Sequence, residues 1–462
     1  MIKNKDDKTL RIMIDFCATI IHHGHIRLIK KAKEYFINHN TIIIIGLSTD
    51  DEIIKHKGYQ SELDFNHRKE VLEALRDVDE VIPTPWDITN VILDTYNIDY
   101  LIHGSDNQND ADNTITFSRT KGVSSNKLRK RTVNSIVQKR NSSKIMFTPG
   151  PSNMSYLNMF DLKGVFGRGD EEYTHIEALV LNNILNLTGH DKIVRFQGGG
   201  TTAIDIATSN IVLGKILIID SGYYSRRLEV IISNKLKMLP DTTFKVIKYK
   251  DIEGEMAVNN TYDWVATAYA ETADAFLCDI ELLKSLSDSK KAKLFLDATA
   301  SINLEPNHDL ADACTFSSCK GLGGLTGAGF ITYKDAAYKP ERRGDVPFTM
   351  DIDTHINKLY TGPYHAICSL YSISKDFKNI TKNVKQSKAA FLEKYKDRII
   401  RSTSDQPLIS TLIEVNNIES NKNVVLYQPR TAPENTAVIC HFGDMFTNEK
   451  DIGKIYDALI IE

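Results

Sequence analysis

Apolar residues in the first third of the chain fall into two alternating patterns. Short unbroken runs predict strands at Ile12 to Phe16, Val81-Ile82 and Tyr100 to Ile102. Thr41 to Leu47 is a continuous β-branched run, which is what a buried parallel strand needs. Helical spacing lies between the runs. Ile26, Ile29, Ala32 and Phe36 share one face over 26–36, and Val71, Leu72 and Leu75 face inward over 68–78. Over residues 11–131 this rhythm predicts a doubly wound parallel sheet, with ligands at the carboxyl ends of its strands. A short polar joint, Asn141 to Lys144, follows a basic, weakly amphipathic helix. The pattern then restarts at Ile145, with a helix over 203–211 and buried strands over 216–220 and 293–297. The class predicted for the whole chain is α/β.

Length and charge narrow the picture. The 462 residues allow two or three domains, and 42% hydrophobic with 25% charged residues is ordinary for a globular protein. A net charge of −3 gives no bulk attraction to nucleic acid or to a membrane surface. No apolar run is long enough to span a bilayer, and Met1 to Arg11 is charged, unlike a signal peptide. The six cysteines are scattered without CxxC spacing, so they read as reduced thiols of a cytoplasmic protein.

His22-His23-Gly24-His25 stands between the first strand and its helix. A helix start there aims free N–H groups at an anion, and His22 and His25 add donors to a phosphoryl oxygen. A metal site and polar surface histidines are the other readings, although no third and fourth metal ligand is evident. Lys55-His56-Lys57 and Asn66-His67-Arg68-Lys69 supply cations for a triphosphate. Arg119 to Ser125 (RTKGVSS) is a Gly-Val-Ser-Ser turn into a basic helix, again a phosphate cradle.

These pieces, with Ser48 to Asp51, Val78 to Ile82 and His103 to Asp106, resemble the HxGH nucleotidyltransferases over about residues 10–131, especially the glycerol-phosphate and ethanolamine-phosphate cytidylyltransferases. The resemblance implies a Rossmann-like domain that transfers CMP from CTP, with Mg²⁺, onto a phosphate-type oxygen. It implies His22 and His25 at the α-phosphate, Lys55 or Lys57 on phosphates, Arg119, Thr120, Ser124 and Ser125 on the triphosphate, and Arg68 and Asp106 near the nucleotide. The family's Asp before HxGH is replaced here, where Phe16-Cys17-Ala18-Thr19 stands in its segment.

Farther on, Thr315 to Phe330 runs from an apolar strand through one lysine, Lys320, into a glycine-rich loop. A lysine in such a partly dry place can attack a carbonyl and form a Schiff base; a surface lysine beside a flexible loop is the other reading. Gln197-Gly198-Gly199-Gly200-Thr201 opens a helix as a phosphate site would, and Asp297 ends a strand. An acid and a lysine at neighbouring strand ends are what a pyridine cofactor needs.

With Thr148 to Pro151, Tyr224 to Arg226, Glu271-Thr272 and Tyr360 to Pro363, this part resembles the class V, fold type I aminotransferases over about 145–462, most of all 2-aminoethylphosphonate:pyruvate transaminase. By that resemblance Lys320 carries pyridoxal 5′-phosphate and Asp297 pairs its ring nitrogen. Gly199, Gly200, Thr201, Glu271, Thr272 and Ser318 complete the cofactor site, and Thr361 reaches the neighbouring subunit of a homodimer. His441 stands where the family holds a substrate carboxylate with arginine, so Arg168 or Arg226 is a candidate for anion binding instead.

The expected organisation is a cytidylyltransferase domain over 1–140 and an aminotransferase domain over 141–462, with a large part about 145–345 and a small part about 375–462. The expected function is bifunctional: amination giving 2-aminoethylphosphonate, then its transfer to CMP from CTP. The partners are small molecules, including an amino acid donor, with no nucleic acid or membrane. Another phosphate acceptor, or one domain acting as a degenerate scaffold, is the alternative.

Overall fold

Strand β1 (Leu10–Phe16) carries Ile12 and Ile14 into one apolar layer and Met13 into another, because successive residues face opposite sides of a sheet. The computed structural model describes residues 8–462 apart from 106–108, 110, 142–143, 237–238, 240, 341–345, 359–360, 421–422, 430 and 432. Asp106, Tyr360 and the Ser142-Ser143 joint, all singled out above, therefore lie outside the described residues. The chain forms two compact units, Met1–Val133 and Asn134–Glu462, a division that falls within a helix (Ser125–Asn141).

In the first unit β1 is followed by α1 (His23–Tyr35), β2 (Thr41–Ser48), α2 (Asp50–Lys57), α3 (Phe65–Glu73) and β3 (Glu80–Thr84). Then come α4 (Asn90–Thr95), β4 (Tyr100–Gly104), β5 (Thr114–Phe117) and α5 (Ser125–Asn141). The sheet order is β3-β2-β1-β4-β5, with every pair parallel. The isoleucine run of β2 is buried on both faces: Ile43 and Ile45 pack with Ile12 and Ile29, and Ile44 packs with Met13 and Leu101. The order reverses between β1 and β4, so the loops leaving these two strands diverge and open a crevice at their carboxyl ends.

The second unit is built on a seven-stranded sheet. Its order is Lys192–Gln197, Ala328–Tyr333, Ala313–Ser317, Lys293–Asp297, Trp264–Ala268, Lys215–Asp220 and Thr243–Lys248. Ala328–Tyr333 is antiparallel to both neighbours. That reversal returns the glycine-rich segment to the carboxyl edge, with Ser317 opposite Gly329 and Gln197 opposite Ala328. Alternation again feeds two cores, Leu217 and Ile219 into one and Ile216 and Ile218 into the other.

A separate core gathers Phe147, Phe391, Ile413, Ile439 and Tyr456. Ile145–Phe147 pairs in parallel with Val424–Leu426. The first strand after the joint thus packs with the C-terminal part, and not with the large part in which the range 145–345 places it. Among the described residues no helix is long and apolar enough to cross a membrane.

Candidate active sites

The crevice of the first unit holds a cavity of about 650 Å³. It is lined by the loops after β1 and β4 and by residues 117–126. His22 caps α1 from outside its first turn. Its Nδ1 accepts from the Gly24 N–H at 3.2 Å, and the His22 N–H is donated to Nδ1 of His25 at 3.2 Å. The two rings stack with centroids 4.0 Å apart, and Phe16 meets His25 edge-on at 4.8 Å. A Cβ on Gly24 would lie 2.9 Å from the His22 ring, so the stack needs glycine there.

Both Nδ1 atoms accept, so a neutral ring carries its proton on Nε2, and each histidine offers one N–H donor from a residue lining the cavity. Burial lowers the pKa of His22, and burial together with the His22 charge pushes His25 down to about 3. The folded chain therefore binds fewer protons here than the unfolded chain does between about 3 and the ordinary 6.5. The stability contributed by His25 is complete above 6.5 and is lost as pH falls toward 3. The same sign governs turnover. Lowering the pH from about 8 to 6.5 leaves His25 neutral, so kcat/KM for CTP, which reports the free enzyme, shows no His25 titration over that range. A histidine inflection near pH 7, abolished in His25→Gln, would contradict this.

Of the predicted residues, His22, His25, Lys57, Arg119, Thr120 and Ser124 line the cavity, as does Ser125. Lys57 lies over the Trp86 ring at 5.5 Å, and His56 stacks on the same ring at 4.8 Å. Ser124 Oγ accepts from the Lys127 N–H at 3.2 Å and so also caps α5. Lys55 is not at the cavity: it is exposed and 3.9 Å from Glu52.

Arg68 is placed differently from the expectation of a nucleotide ligand. It is 0% exposed and donates to the carbonyls of Cys17, Ser48 and Leu63 and to Asp50. It braces the wall behind the cavity. Arg68→Met is expected to cost about 3–5 kcal/mol, because three carbonyls and a carboxylate lose their donor. Urea unfolding of the first unit's transition would show it.

Thr19, in the place of the family's aspartate, accepts from Arg129 Nη2 at 2.9 Å. Arg129 also pairs with Glu62 at 2.6 Å and lies over Tyr59 at 4.6 Å. The acid partner of this arginine is therefore Glu62, with Thr19 adding a hydroxyl acceptor. Asp15, Tyr59 and Trp86 line the cavity but escaped the sequence reading. Asp15 and Trp86 had a usable signal, since each lies at or just past a strand's carboxyl end. Among the described residues no group of three or more His, Cys, Asp or Glu could hold a metal.

In the second unit Asp297 is buried at the end of Lys293–Asp297. Its Oδ1 accepts from the Thr299 N–H at 3.0 Å and from the Thr299 hydroxyl, and Oδ2 has no hydrogen bond among the described residues. Burial raises its pKa, and the nearby charges of Lys320 and Arg227 oppose that rise. Lys320 is half-buried after Ala313–Ser317, with Nζ 5.6 Å from the Tyr224 ring centroid and its stem beside Gly150. Gly199 is the N-cap of the helix Gly200–Asn210 and leaves that helix start without a side-chain cap. A Cβ on Gly200 would overlap Thr299 Oγ1, so glycine lets the helix start sit against the residue that holds Asp297.

Two other expectations, for Glu271 and Ser318, meet a different geometry, and His441 proves a core residue. Glu271 accepts from the Tyr224 and Ser225 N–H groups at 2.8 Å, capping the helix Tyr223–Lys235, so its carboxylate is engaged in the fold. Ser318 Oγ donates to the Leu325 carbonyl and ties the glycine loop closed. His441 is wholly buried, bonded through its ring to Thr411 at 2.9 Å and Tyr456 at 2.7 Å, with a pKa well below the ordinary value. It is a neutral core residue, in keeping with the expectation that it does not replace the family's arginine clamp. Thr272 is buried and Thr361 exposed. Arg226 pairs with Asp220 at 3.3 Å.

Comparison with known proteins separates the two units. Residues 17–147 match the cytidylyltransferase-like family. Glycerol-3-phosphate cytidylyltransferase of Staphylococcus aureus is 33% identical over 118 residues, covering 24% of this chain and 85% of that protein. Ethanolamine-phosphate cytidylyltransferase of Mus musculus is 32% identical over 117 residues, covering 25% of this chain. The chain spans only 28% of that relative's length and 38% of its Dictyostelium discoideum counterpart. Among solved structures, pyridoxamine-pyruvate aminotransferase from Mesorhizobium loti superposes with a TM-score of 0.57 at 14% identity, over 65% of this chain and 88% of that one. Aspartate aminotransferase from Thermus thermophilus gives 0.59 at 12% identity, over 68% and 99%. At these identities the likeness is one of fold.

Proposed function

Because the chain belongs, through its first unit, to the cytidylyltransferase family, we propose that it joins CMP from CTP to 2-aminoethylphosphonate, and that its second unit makes this acceptor by aminating phosphonoacetaldehyde. The observation that carries the reading is the stacked His22–His25 pair, two neutral rings with fixed Nε2 donors lining one cavity with Lys57 and Arg119.

A phosphonate oxygen attacks the α-phosphorus of CTP. The new P–O bond forms as the bond to the β-phosphate breaks, and pyrophosphate leaves with the electron pair. Mg²⁺ enters with CTP. The two Nε2–H groups donate to the α-phosphoryl oxygens as charge gathers there, and Lys57 and Arg119 face the leaving pyrophosphate. Positioning and charge suffice, without a covalent enzyme intermediate.

The second unit's residues fit pyridoxal phosphate. Asp297 offers a buried carboxylate oxygen without a hydrogen bond for the ring nitrogen, and Lys320 stands nearby for the aldehyde carbon. Gly199, Gly200 and Thr201 form an uncapped helix start for the phosphate. When bound, the cofactor supplies an electron sink for breaking a C–H bond beside nitrogen. Lys320 Nζ moves the proton between the carbon atoms, and Asp297 keeps the ring nitrogen protonated. Thr361 of a second copy would complete the site in a homodimer.

Phosphonoacetaldehyde, an amino acid donor and CTP, incubated with the protein and pyridoxal phosphate, are expected to give CMP-2-aminoethylphosphonate in the phosphorus NMR spectrum. Faster pyrophosphate release with glycerol 3-phosphate, phosphoethanolamine or phosphocholine than with 2-aminoethylphosphonate would replace the proposed acceptor. Cytidylyl transfer without amination would leave the second unit as a scaffold.

A further inference from the structure

Two adjacent arginines, Arg226 and Arg227, stand in the first turns of the helix Tyr223–Lys235, and the structure treats them oppositely. Arg226 is paired with Asp220 at 3.3 Å. Arg227 is half-buried and, among the described residues, has no carboxylate within ion-pair distance. Its Nη1 donates to Thr201 Oγ1 at 3.0 Å, on the first turn of Gly200–Asn210. Its guanidinium lies 5.1 Å from the Tyr224 ring centroid and 5.8 Å from that of Tyr223. Lys320 Nζ lies 5.6 Å from the same Tyr224 ring, so one aromatic side chain is shared by both cations.

The free N–H groups of an uncapped helix start, a threonine hydroxyl and an arginine without an acid partner meet at one corner beside Asp297 and Lys320. Such a corner carries uncompensated positive charge, and a dianion balances it. A guanidinium with one N–H on Thr201 keeps four more for phosphoryl oxygens. The charge of Arg227 also reaches Asp297, where it opposes the rise caused by burial.

Building on the cofactor reading above, we propose that Arg227 binds a phosphoryl dianion at the start of Gly200–Asn210, and that this dianion is the phosphate of pyridoxal phosphate. Its contact with Thr201 favours the cofactor over the substrate, since Thr201 belongs to the glycine segment itself. Tyr224 fixes the distance between phosphate and aldehyde ends by standing against both Arg227 and Lys320.

Equilibrium dialysis of pyridoxal 5′-phosphate and of pyridoxal, which lacks the phosphate, separates this role from a structural one. In Arg227→Gln, affinity for pyridoxal phosphate is expected to fall about 10- to 100-fold, with pyridoxal affinity changed less than about threefold. Arg227→Lys keeps the charge and should recover part of the loss. Melting temperature and circular dichroism of both variants check that they are folded.

Equal losses for the two ligands, or no loss for either, would overturn the assignment. So would an unchanged ratio with a raised KM for phosphonoacetaldehyde in amine transfer, which would give the arginine to the substrate's phosphonate. Failure of the unsubstituted protein to bind pyridoxal phosphate at all would instead remove the cofactor reading, and this inference with it.

Discussion

Replacing Lys320 with alanine is expected to abolish amine transfer and leave cytidylyl transfer at its full rate. Lys320 extends from the loop after Ala313–Ser317 toward Tyr224, beside buried Asp297. Lys320 is the lysine that the structure sets against Tyr224 and Asp297, and proton transfer at the site rests on it. Loss of a positioned acid–base group alone costs roughly 10²–10⁴-fold, and loss of the attacking amine adds to it. The side chain bears no ion pair among the described residues, so the variant should fold. The measurement is the absorption spectrum after adding pyridoxal phosphate and dialysing: the unsubstituted protein keeps a lysine-linked band near the visible, and Lys320→Ala does not. Amine transfer persisting in the variant would end the assignment.

His25→Ala carries the second large effect, this time on CTP. Removing one donor to a developing oxyanion costs about 10²–10³-fold in kcat, with KM for CTP changed far less. His22→Ala should show a similar loss plus about 1 kcal/mol of stability, because His22 also caps α1. The double variant should fall short of the product of the two, since the rings stack and share a backbone bond. Pyrophosphate release from CTP reads all three. A His25→Ala enzyme with normal kcat would show that the ring only packs against Phe16.

β1 to β4 of the first unit were legible from their apolar runs, continuous and β-branched in β2, whereas β5 (Thr114–Phe117), with no buried residue, gave no such run. β2 was expected over 41–47 and runs Thr41–Ser48. α1 begins earlier than its apolar spacing, at His23, because the cap is a histidine and not one of the usual short polar residues. Charge misled where burial decides. Arg68, read beside His67 and Lys69 as a mobile cation, is turned inward because main-chain carbonyls there need a donor. Glu271 follows a strand as a ligand would, yet spends its carboxylate on a helix start 46 and 47 residues earlier in the chain. Arg129 sits in a basic run that resembles a solvated face, and only the fold brings Glu62 and Thr19 to it. Contacts of this kind join residues far apart in sequence, so no local pattern reports them.

The overlap between position 200 and the Thr299 hydroxyl restricts how this lineage can drift. A mutation that puts any side chain at 200 must be accompanied by a smaller residue at 299, or by a threonine rotated off Asp297. Either compensation strips the acid of a donor it holds now. Positions 200 and 299 therefore vary together: a side chain at 200 leaves Asp297 held by the Thr299 N–H alone.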